Sequence, residues 1–241
     1  MKRLGMIAVA LAALMLTASW RVATGANEPD PLNTINPAKL LNGNTVVQRG
    51  PTYCPIQKPI SQCPEAPALT SSLKLSKAEI AKAKKANFRV GIVMQTMDIS
   101  WSVLTVRGIK DSLKKYGVQV IGVTDPKFSA DKQVSDIENM IQRNPDAIIS
   151  IPVDDTTPGP AYKKISQAGI KLIMMLQTTR GLSYPKEYST MIGPDDFGDG
   201  LVMARILEKY IPKNGSLGLL GFNVGNFFTT DRRQAGVKWW M

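Results

Sequence analysis

From residue 88 onward, short apolar runs alternate with amphipathic stretches, and this alternation limits the fold more than any other feature of the sequence. The run at 88–94 is rich in Val and Ile, as is typical of a buried parallel strand. Residues 101–116 repeat apolar side chains at the three- and four-residue spacing of a helix, and Gly117 is placed to cap that helix. Strictly alternating units of this kind predict an α/β fold, with a parallel sheet covered by helices on both faces.

The other predicted elements follow in order along the chain. Further strands are predicted at 118–123, 147–151, 170–176, 189–192 and 217–222. Further helices are predicted at 129–143, 159–168 and 195–211, with another beginning near Thr230. A short helix at 76–85, rich in Ala, Lys and Glu, is predicted to lead into the domain.

The N-terminus has the pattern of a secretory signal peptide. Lys2 and Arg3 precede an apolar run at 4–16, which is shorter than the about 20 residues that a membrane span needs. Small residues ending at Ala26 then resemble a cleavage site. We predict a signal peptide at residues 1–26 and export to the periplasm; an uncleaved membrane anchor is the alternative.

Residues 27–86 are predicted to form an irregular, proline-rich arm that ends in the short helix. Cys54 and Cys63 both lie in this arm, and an exported chain meets an oxidising compartment, which favours a disulfide between them. The chain has no histidine, and two thiols are too few for a typical metal site. We therefore predict no metal and no cofactor.

The formal net charge is +11, which raises the question of a nucleic-acid partner. The Lys and Arg residues are spread over predicted helix faces, and no basic stripe is interleaved with aromatic residues. We expect a solvated basic surface and no nucleic-acid partner. Attraction to an acidic envelope surface or to an anionic ligand is the alternative.

Four loops that follow predicted strands share a polar and aromatic character. Ligands of open parallel sheets bind beyond the carboxyl ends of the strands, so these loops should meet at one edge. The candidate contacts in them are Asp98, Trp101, Asp154, Gln177, Arg180 and Asn226. Carboxylates, amides, a guanidinium and an aromatic ring suit a polyhydroxylated ligand. Alternatively, Trp101 anchors the core, and Asp154 and Asp155 cap the following helix.

Several short stretches between residues 88 and 237 match one family in order and spacing. They are RVGIVM at 89–94, Trp101 with Gly108, PDAII at 145–149, AGIKLI at 168–173, IGPDD at 192–196 and RQAGV at 233–237. The chain resembles the ribose-type periplasmic binding proteins that serve sugar ABC transporters, a group that is also similar to the effector domains of lactose-repressor-like regulators. The resemblance implies a type I two-lobed fold with residues 87–212 as the first lobe. Residues 213–241 would begin the second lobe, so we expect a chain truncated at its C-terminus.

The resemblance also implies where the ligand would bind. The family stacks an aromatic residue on the sugar after the first strand, which corresponds to Trp101, with Ile99 and Ser102 beside it. The family's Asp-Arg pair after the fourth strand is replaced here by Leu176 and Gln177, although Arg180 could reach back. A ligand-contacting arginine of the family aligns with Asp231, and Arg232 or Arg233 could replace it only after a local shift. Simple ribose or galactose specificity does not follow from these residues.

These features predict a periplasmic solute-binding protein that captures a sugar or sugar-like molecule and presents it to the membrane permease of an ABC transporter. The alternative is a periplasmic sensor acting on a membrane kinase or chemoreceptor. An enzyme is not expected, because the chain lacks histidine and a Gly-x-Ser-x-Gly nucleophile elbow. Asp154 and Asp155 are adjacent, and neighbours on one loop seldom flank a glycosidic bond. A signal peptide at the N-terminus also disfavours a repressor.

Overall fold

The fold is built on one seven-stranded sheet. The structure, a computed structural model, describes residues 46–48, 68–69, 74–221 and 228–241. The strands are β1 (Val46–Gln48), β2 (Ala68–Leu69), β3 (Arg89–Val93), β4 (Gln119–Thr124), β5 (Ala147–Ser150), β6 (Lys171–Met175) and β7 (Thr190–Gly193). Their spatial order is β2-β1-β7-β6-β5-β3-β4. Strands β3 to β7 are mutually parallel, whereas β1 pairs antiparallel with both β7 and β2.

Helices connect the parallel strands, as the alternating pattern predicts. The helices of the described chain are α1 (Lys77–Ala86), α2 (Ser100–Lys115), α3 (Ala130–Gln142), α4 (Gly159–Gln167), α5 (Asp196–Leu207) and α6 (Phe228–Trp240). Of these, α2, α3 and α4 connect parallel strands, α1 precedes β3, and α5 and α6 follow β7. Ser76 and Glu79 form a capping box that starts α1, and the Ser129 side chain caps α3. The α/β prediction of a parallel sheet with helices on both faces is confirmed.

The core lies on both faces of the sheet because successive strand residues point in opposite directions. Ile149 and Ile173 pack with α1 and α2 on one face, and Ile148 and Leu172 pack with α3 and α4 on the other. Strand β5 is buried along its whole length. Burial of each such side chain stabilises the folded state by roughly 1.5–3 kcal/mol. The central strands are therefore stable, and the loops at their ends carry polar residues.

The order of the five parallel strands reverses between β3 and β5. The chain runs from β3 outward to β4 at one side, and then returns to place β5 on the other side of β3. In sheets with this order the crevice at the carboxyl ends of the two strands that flank the reversal is the usual ligand position. The loops that follow β3 and β5 are therefore the expected position of a ligand site.

Two predictions about secondary structure were wrong in part. Residues 217–221 form no strand, although 217–222 was predicted as one; no described strand lies beside them to pair with their backbone, and Leu220 is fully exposed. The predicted irregular arm also contains β1, which pairs with β7, and β2, which pairs with β1. Strands of two or three residues are too short to produce a period in the sequence. Cys54 and Cys63, and the signal peptide at 1–26, lie outside the described residues.

Helices α5 and α6 pack closely on each other. A Cβ atom placed on Gly236 would lie 3.0 Å from the Cα of Gly200, so the two backbones are nearly in contact. The main packing partner of α5 in the described chain is α6. The domain boundary at 212/213 stays a prediction.

Within residues 74–221 and 228–241, no helix combines the length and the apolar composition that spanning a membrane requires.

Candidate functional site

The loop after β3 runs along the carboxyl edge at the strand reversal. Gln95 and Thr96 are buried there, whereas Asp98 is exposed. The backbone N–H of Asp98 donates to Oγ1 of Thr96 over 3.1 Å, and the N–H of Met97 donates to Oδ1 of Asp125 over 2.9 Å. The loop is therefore ordered by side chains, while the Asp98 carboxylate faces solvent at the sheet edge.

Trp101 lies in the first turn of α2, directly after this loop. Its ring is half-buried and packs against the core cluster that contains α2 and β3. Ile99 precedes the helix and is 43% exposed, whereas Ser102 is fully buried. Both interpretations of Trp101 thus have a structural basis, since one part of the ring anchors the helix and the rest is accessible at the carboxyl edge.

The loop after β5 carries two carboxylates with different surroundings. Oδ1 of Asp154 accepts the N–H groups of Thr156 and Thr157 over 2.7 and 2.6 Å, so this side chain stabilises the turn before α4. Asp155 is 4% exposed, and its Oδ2 lies 2.9 Å from Nε of Arg180. An Asp-Arg pair is therefore assembled from the loops after β5 and β6, across adjacent strands.

The residues directly after β6 hold the backbone in an unusual conformation. Leu176 has a φ of 64°, in the left-handed region that a branched side chain seldom adopts. Gln177 is buried, and its Nε2 donates to the carbonyl of Pro152 over 3.1 Å, which ties this loop to the one after β5. Strain of this kind is often found at functional sites.

The remaining predicted contacts lie on α6 or outside the described residues, and not in the loops of this edge. Asn226 lies outside the described residues. Asp231 is exposed in the first turn of α6. Arg233 pairs with Asp196 over 2.8 Å and with Asp199 over 3.6 Å, while Arg232 is almost completely buried. The Arg233 ion pairs hold α6 to α5, and a ligand contact from Arg232 or Arg233 stays a prediction.

Buried polar atoms without a hydrogen-bond partner concentrate at the same edge. Among the described residues they include Gln95 Oε1 in the loop after β3, Ser102 Oγ in the first turn of α2, Thr124 Oγ1 at the end of β4 and Thr179 Oγ1 in the loop after β6. Leaving a buried polar group unpaired costs about 1–3 kcal/mol, and such groups are rare in folded proteins. Their shared position indicates a surface prepared for a polar ligand.

Sequence reasoning did not select Gln95 or Thr179 as candidate contacts, and it left Asp155 open between a helix cap and a ligand contact. Each is polar and directly follows a predicted strand, which was the available signal, but nothing in the sequence shows which side chains of a loop become buried. The ion pair of Asp155 and Arg180 joins residues that are far apart in sequence. Only the strand order reveals that their loops are neighbours.

Comparison with known proteins decides the family. A family model described as a periplasmic binding protein domain matches residues 90–240. The chain belongs to this periplasmic binding protein family. Its members bind solutes and are not enzymes, which agrees with the prediction that this chain is not an enzyme.

Similar proteins of the family include a curated relative and several solved structures. The ribose import binding protein RbsB of Bacillus subtilis is 24% identical over 148 residues, which are 61% of this chain and 47% of that protein. A periplasmic solute binding protein of an ABC transporter from Actinobacillus succinogenes, solved with bound D-allose, has a TM-score of 0.55 at 25% identity, covering 63% of this chain and 54% of its own. A periplasmic ribose ABC transporter structure from Conexibacter woesei has a TM-score of 0.53 at 16% identity, with coverages of 63% and 49%.

These matches bear on the predictions in different ways. The resemblance to ribose-type periplasmic binding proteins is confirmed, and so is the periplasmic binding protein fold. The relatives are distant, and the chain spans about half the length of the curated relative it matches. The individual site residues, the disulfide and the signal peptide stay predictions.

Proposed function

We propose that this chain captures a sugar or sugar-like small molecule at the carboxyl edge of its sheet, as the solute-binding component of a periplasmic ABC transport system. The observation that carries the proposal is the group of buried, unpartnered polar atoms at this edge, which belong to Gln95, Ser102, Thr124 and Thr179. Sugar hydroxyls both donate and accept hydrogen bonds, so one ligand could satisfy several of these groups together.

The charged groups at the same edge support a neutral, polyhydroxylated ligand. The Asp155 carboxylate and the Arg180 guanidinium offset each other, and the Arg180 side chain is 63% exposed and therefore accessible. One relative is a ribose import binding protein, and another was solved with bound D-allose. Transport by a membrane permease is inferred from these relatives and would depend on recognition of the liganded form.

Calorimetric titration of the full chain with a panel of pentoses and hexoses tests the proposal. We expect saturable binding to at least one sugar and none to amino acids of similar size. A ligand at 100 times its Kd should also raise the free energy of unfolding by about 2.7 kcal/mol, which thermal unfolding would detect. Absence of binding across the panel would contradict the proposal, and conversion of a labelled sugar into a product would contradict a role limited to binding.

Trp101→Ala is expected to weaken binding of the sugar identified in that panel by about tenfold, because an aromatic face over a sugar ring supplies both apolar area and specific geometry. Trp101→Phe should retain most of the affinity. The matched control is Trp239→Ala, which removes a tryptophan that is 66% exposed on α6. Calorimetry of the three variants gives the comparison. A change of less than about twofold for Trp101→Ala would exclude a stacking role.

A further inference from the structure

The connection between β4 and α3 makes hydrogen bonds to two neighbouring loops. We call residues 125–133 the clamp segment; it comprises this connection and the first turn of α3. Sequence reasoning placed no site residue in it. Its side chains and backbone nevertheless make hydrogen bonds to the loops that follow β3 and β5, which flank the strand reversal.

Asp125 fixes the loop after β3. Its Oδ1 accepts the N–H of Met97 over 2.9 Å and the N–H of Lys127 over 3.2 Å. One carboxylate oxygen thus joins the clamp segment to the site loop. The N–H of Phe128 donates to the carbonyl of Gln95 over 2.8 Å, so the loop is held at two points.

Gln133 connects the ends of the two strands. Its side chain is completely buried, and its Nε2 donates to the carbonyls of Met94 over 3.0 Å and Ile151 over 2.9 Å. Its Oε1 accepts the N–H of Val153 over 2.8 Å. The amide therefore satisfies three buried backbone groups at the point where both site loops begin, and leaving them unpaired would cost about 1–3 kcal/mol each.

The backbone of the clamp segment is strained where it makes these contacts. Lys127 and Phe128 are consecutive and have φ values of 53° and 60°. The left-handed conformation costs roughly 1–2 kcal/mol for each residue that is not glycine. Strain persists only where surrounding contacts impose it, and here the contacts are those with Asp125 and Gln95.

We propose that the clamp segment positions the solute site, with Asp125 and Gln133 as its positioning residues. Neither residue is assigned a contact with the solute. Asp125 sets the course of the loop that leads to Trp101, and Gln133 sets the separation of the loops after β3 and β5. The expected effect on sugar affinity rests on the proposed function. The ordering of the loop after β3 can be tested without any solute.

Asp125→Ala is expected to loosen the loop after β3, because the N–H of Met97 loses its acceptor. In the full chain without sugar, amide hydrogen exchange at residues 95–99 should accelerate by roughly tenfold, while exchange in β5 and β6 stays unchanged. The affinity for the sugar identified in the panel should fall by about fivefold to tenfold. Asp125→Asn keeps an acceptor oxygen and should restore both quantities to within about twofold of the original.

The matched control is Asp146→Ala at the opposite edge of the sheet. Oδ2 of Asp146 accepts the N–H of Arg89 over 2.7 Å, which is the same kind of bond at the other end of β3. This variant should lower the urea midpoint without changing exchange at 95–99 or sugar affinity. Gln133→Met removes all three hydrogen bonds of the side-chain amide and should weaken sugar binding more than Asp125→Ala does. If this variant does not fold, the Asp125 variants still test the positioning role.

The two proposals fail in different ways. If the original chain binds no sugar, the proposed function fails, and exchange at residues 95–99 still tests the clamp segment. If Asp125→Ala leaves that exchange unchanged, or if Asp146→Ala accelerates it equally, the positioning role is overturned whatever the chain binds. If exchange accelerates but sugar affinity stays within about twofold, the segment orders the loop without positioning the site, which also overturns the proposal.

Discussion

Gly236→Val should lower the free energy of unfolding by about 3 kcal/mol, at the upper end of the cost of overpacking. A Cβ atom at this position would lie 2.2 Å from the carbonyl oxygen of Phe197 and 3.0 Å from the Cα of Gly200. Both are backbone atoms of α5, so no side-chain rotation can relieve the overlap. The helices would have to separate, and the Arg233 ion pairs with Asp196 and Asp199 would be lost with that separation.

Urea unfolding followed by circular dichroism measures this change. Gly218→Val is the matched control, because a Cβ atom at Gly218 meets nothing within 4 Å. The control should alter the free energy of unfolding by less than about 0.5 kcal/mol. Hydrogen exchange in α5 and α6 would show whether the damage stays within this pair. Equal midpoints for the two variants would mean that the helices are not packed as closely as described.

The second large effect concerns pH and arises in the same helix pair. Burial raises the pKa of Asp196 from its ordinary value to about 7, and this effect outweighs the attraction of the Arg233 guanidinium 2.8 Å away. Burial also raises the pKa of the neighbouring Asp199 carboxyl. The folded chain therefore binds a proton at Asp196 more tightly than the unfolded chain does.

The sign of the pH dependence follows from this difference. Stability contributed by the protonated Asp196 is complete below the unfolded pKa near 4 and is lost as the pH rises through about 7. Between pH 5 and pH 8 the free energy of unfolding should fall by about 2.6 kcal/mol from this group. Burial acts to raise the pKa of Glu187, but the N–H of Ser183 and the ammonium of Lys186 hold it below its ordinary value, so this carboxylate titrates below the window.

Asp196→Asn isolates the contribution of this carboxyl group to the pH dependence of stability. The amide has nearly the same shape and cannot titrate, so the decline between pH 5 and pH 8 should largely disappear. Asp111→Asn, an exposed carboxylate on α2, serves as the control and should keep the original slope. Urea midpoints at four pH values suffice for the comparison. An unchanged slope in Asp196→Asn would assign the pH dependence to a different group.

The sequence predicted the regular elements of the α/β unit well because their periodicity is long enough to detect. The helices that start near Trp101 and Ser129 are in place, and their buried faces carry Ile109 and Ile137 as the spacing requires. The run at 217–222 shows the limit of the method. Apolar composition alone does not supply a neighbouring strand, and residues 217–221 have none among the described residues.

The candidate site was predicted at the level of loops and not of contacts. Asp154 and Gln177 were expected to face a ligand, but they also hold the loops in place through bonds to Thr156 and Pro152. The buried amide of Gln133 was placed in a helix and given no role. Its three bonds depend on the positions of β3 and β5 relative to α3, which no spacing within one segment of sequence can encode.

The backbone at Leu176 affects how readily the site could be redesigned. Asn and Asp tolerate its left-handed conformation better than Leu does, so either replacement would recover part of the strain while losing the contact of Leu176 with the core. The same replacement would introduce a hydrogen-bonding group at the start of the loop that carries Arg180, directly after β6. Position 176 is therefore a low-cost starting point for engineering a receptor with altered solute preference.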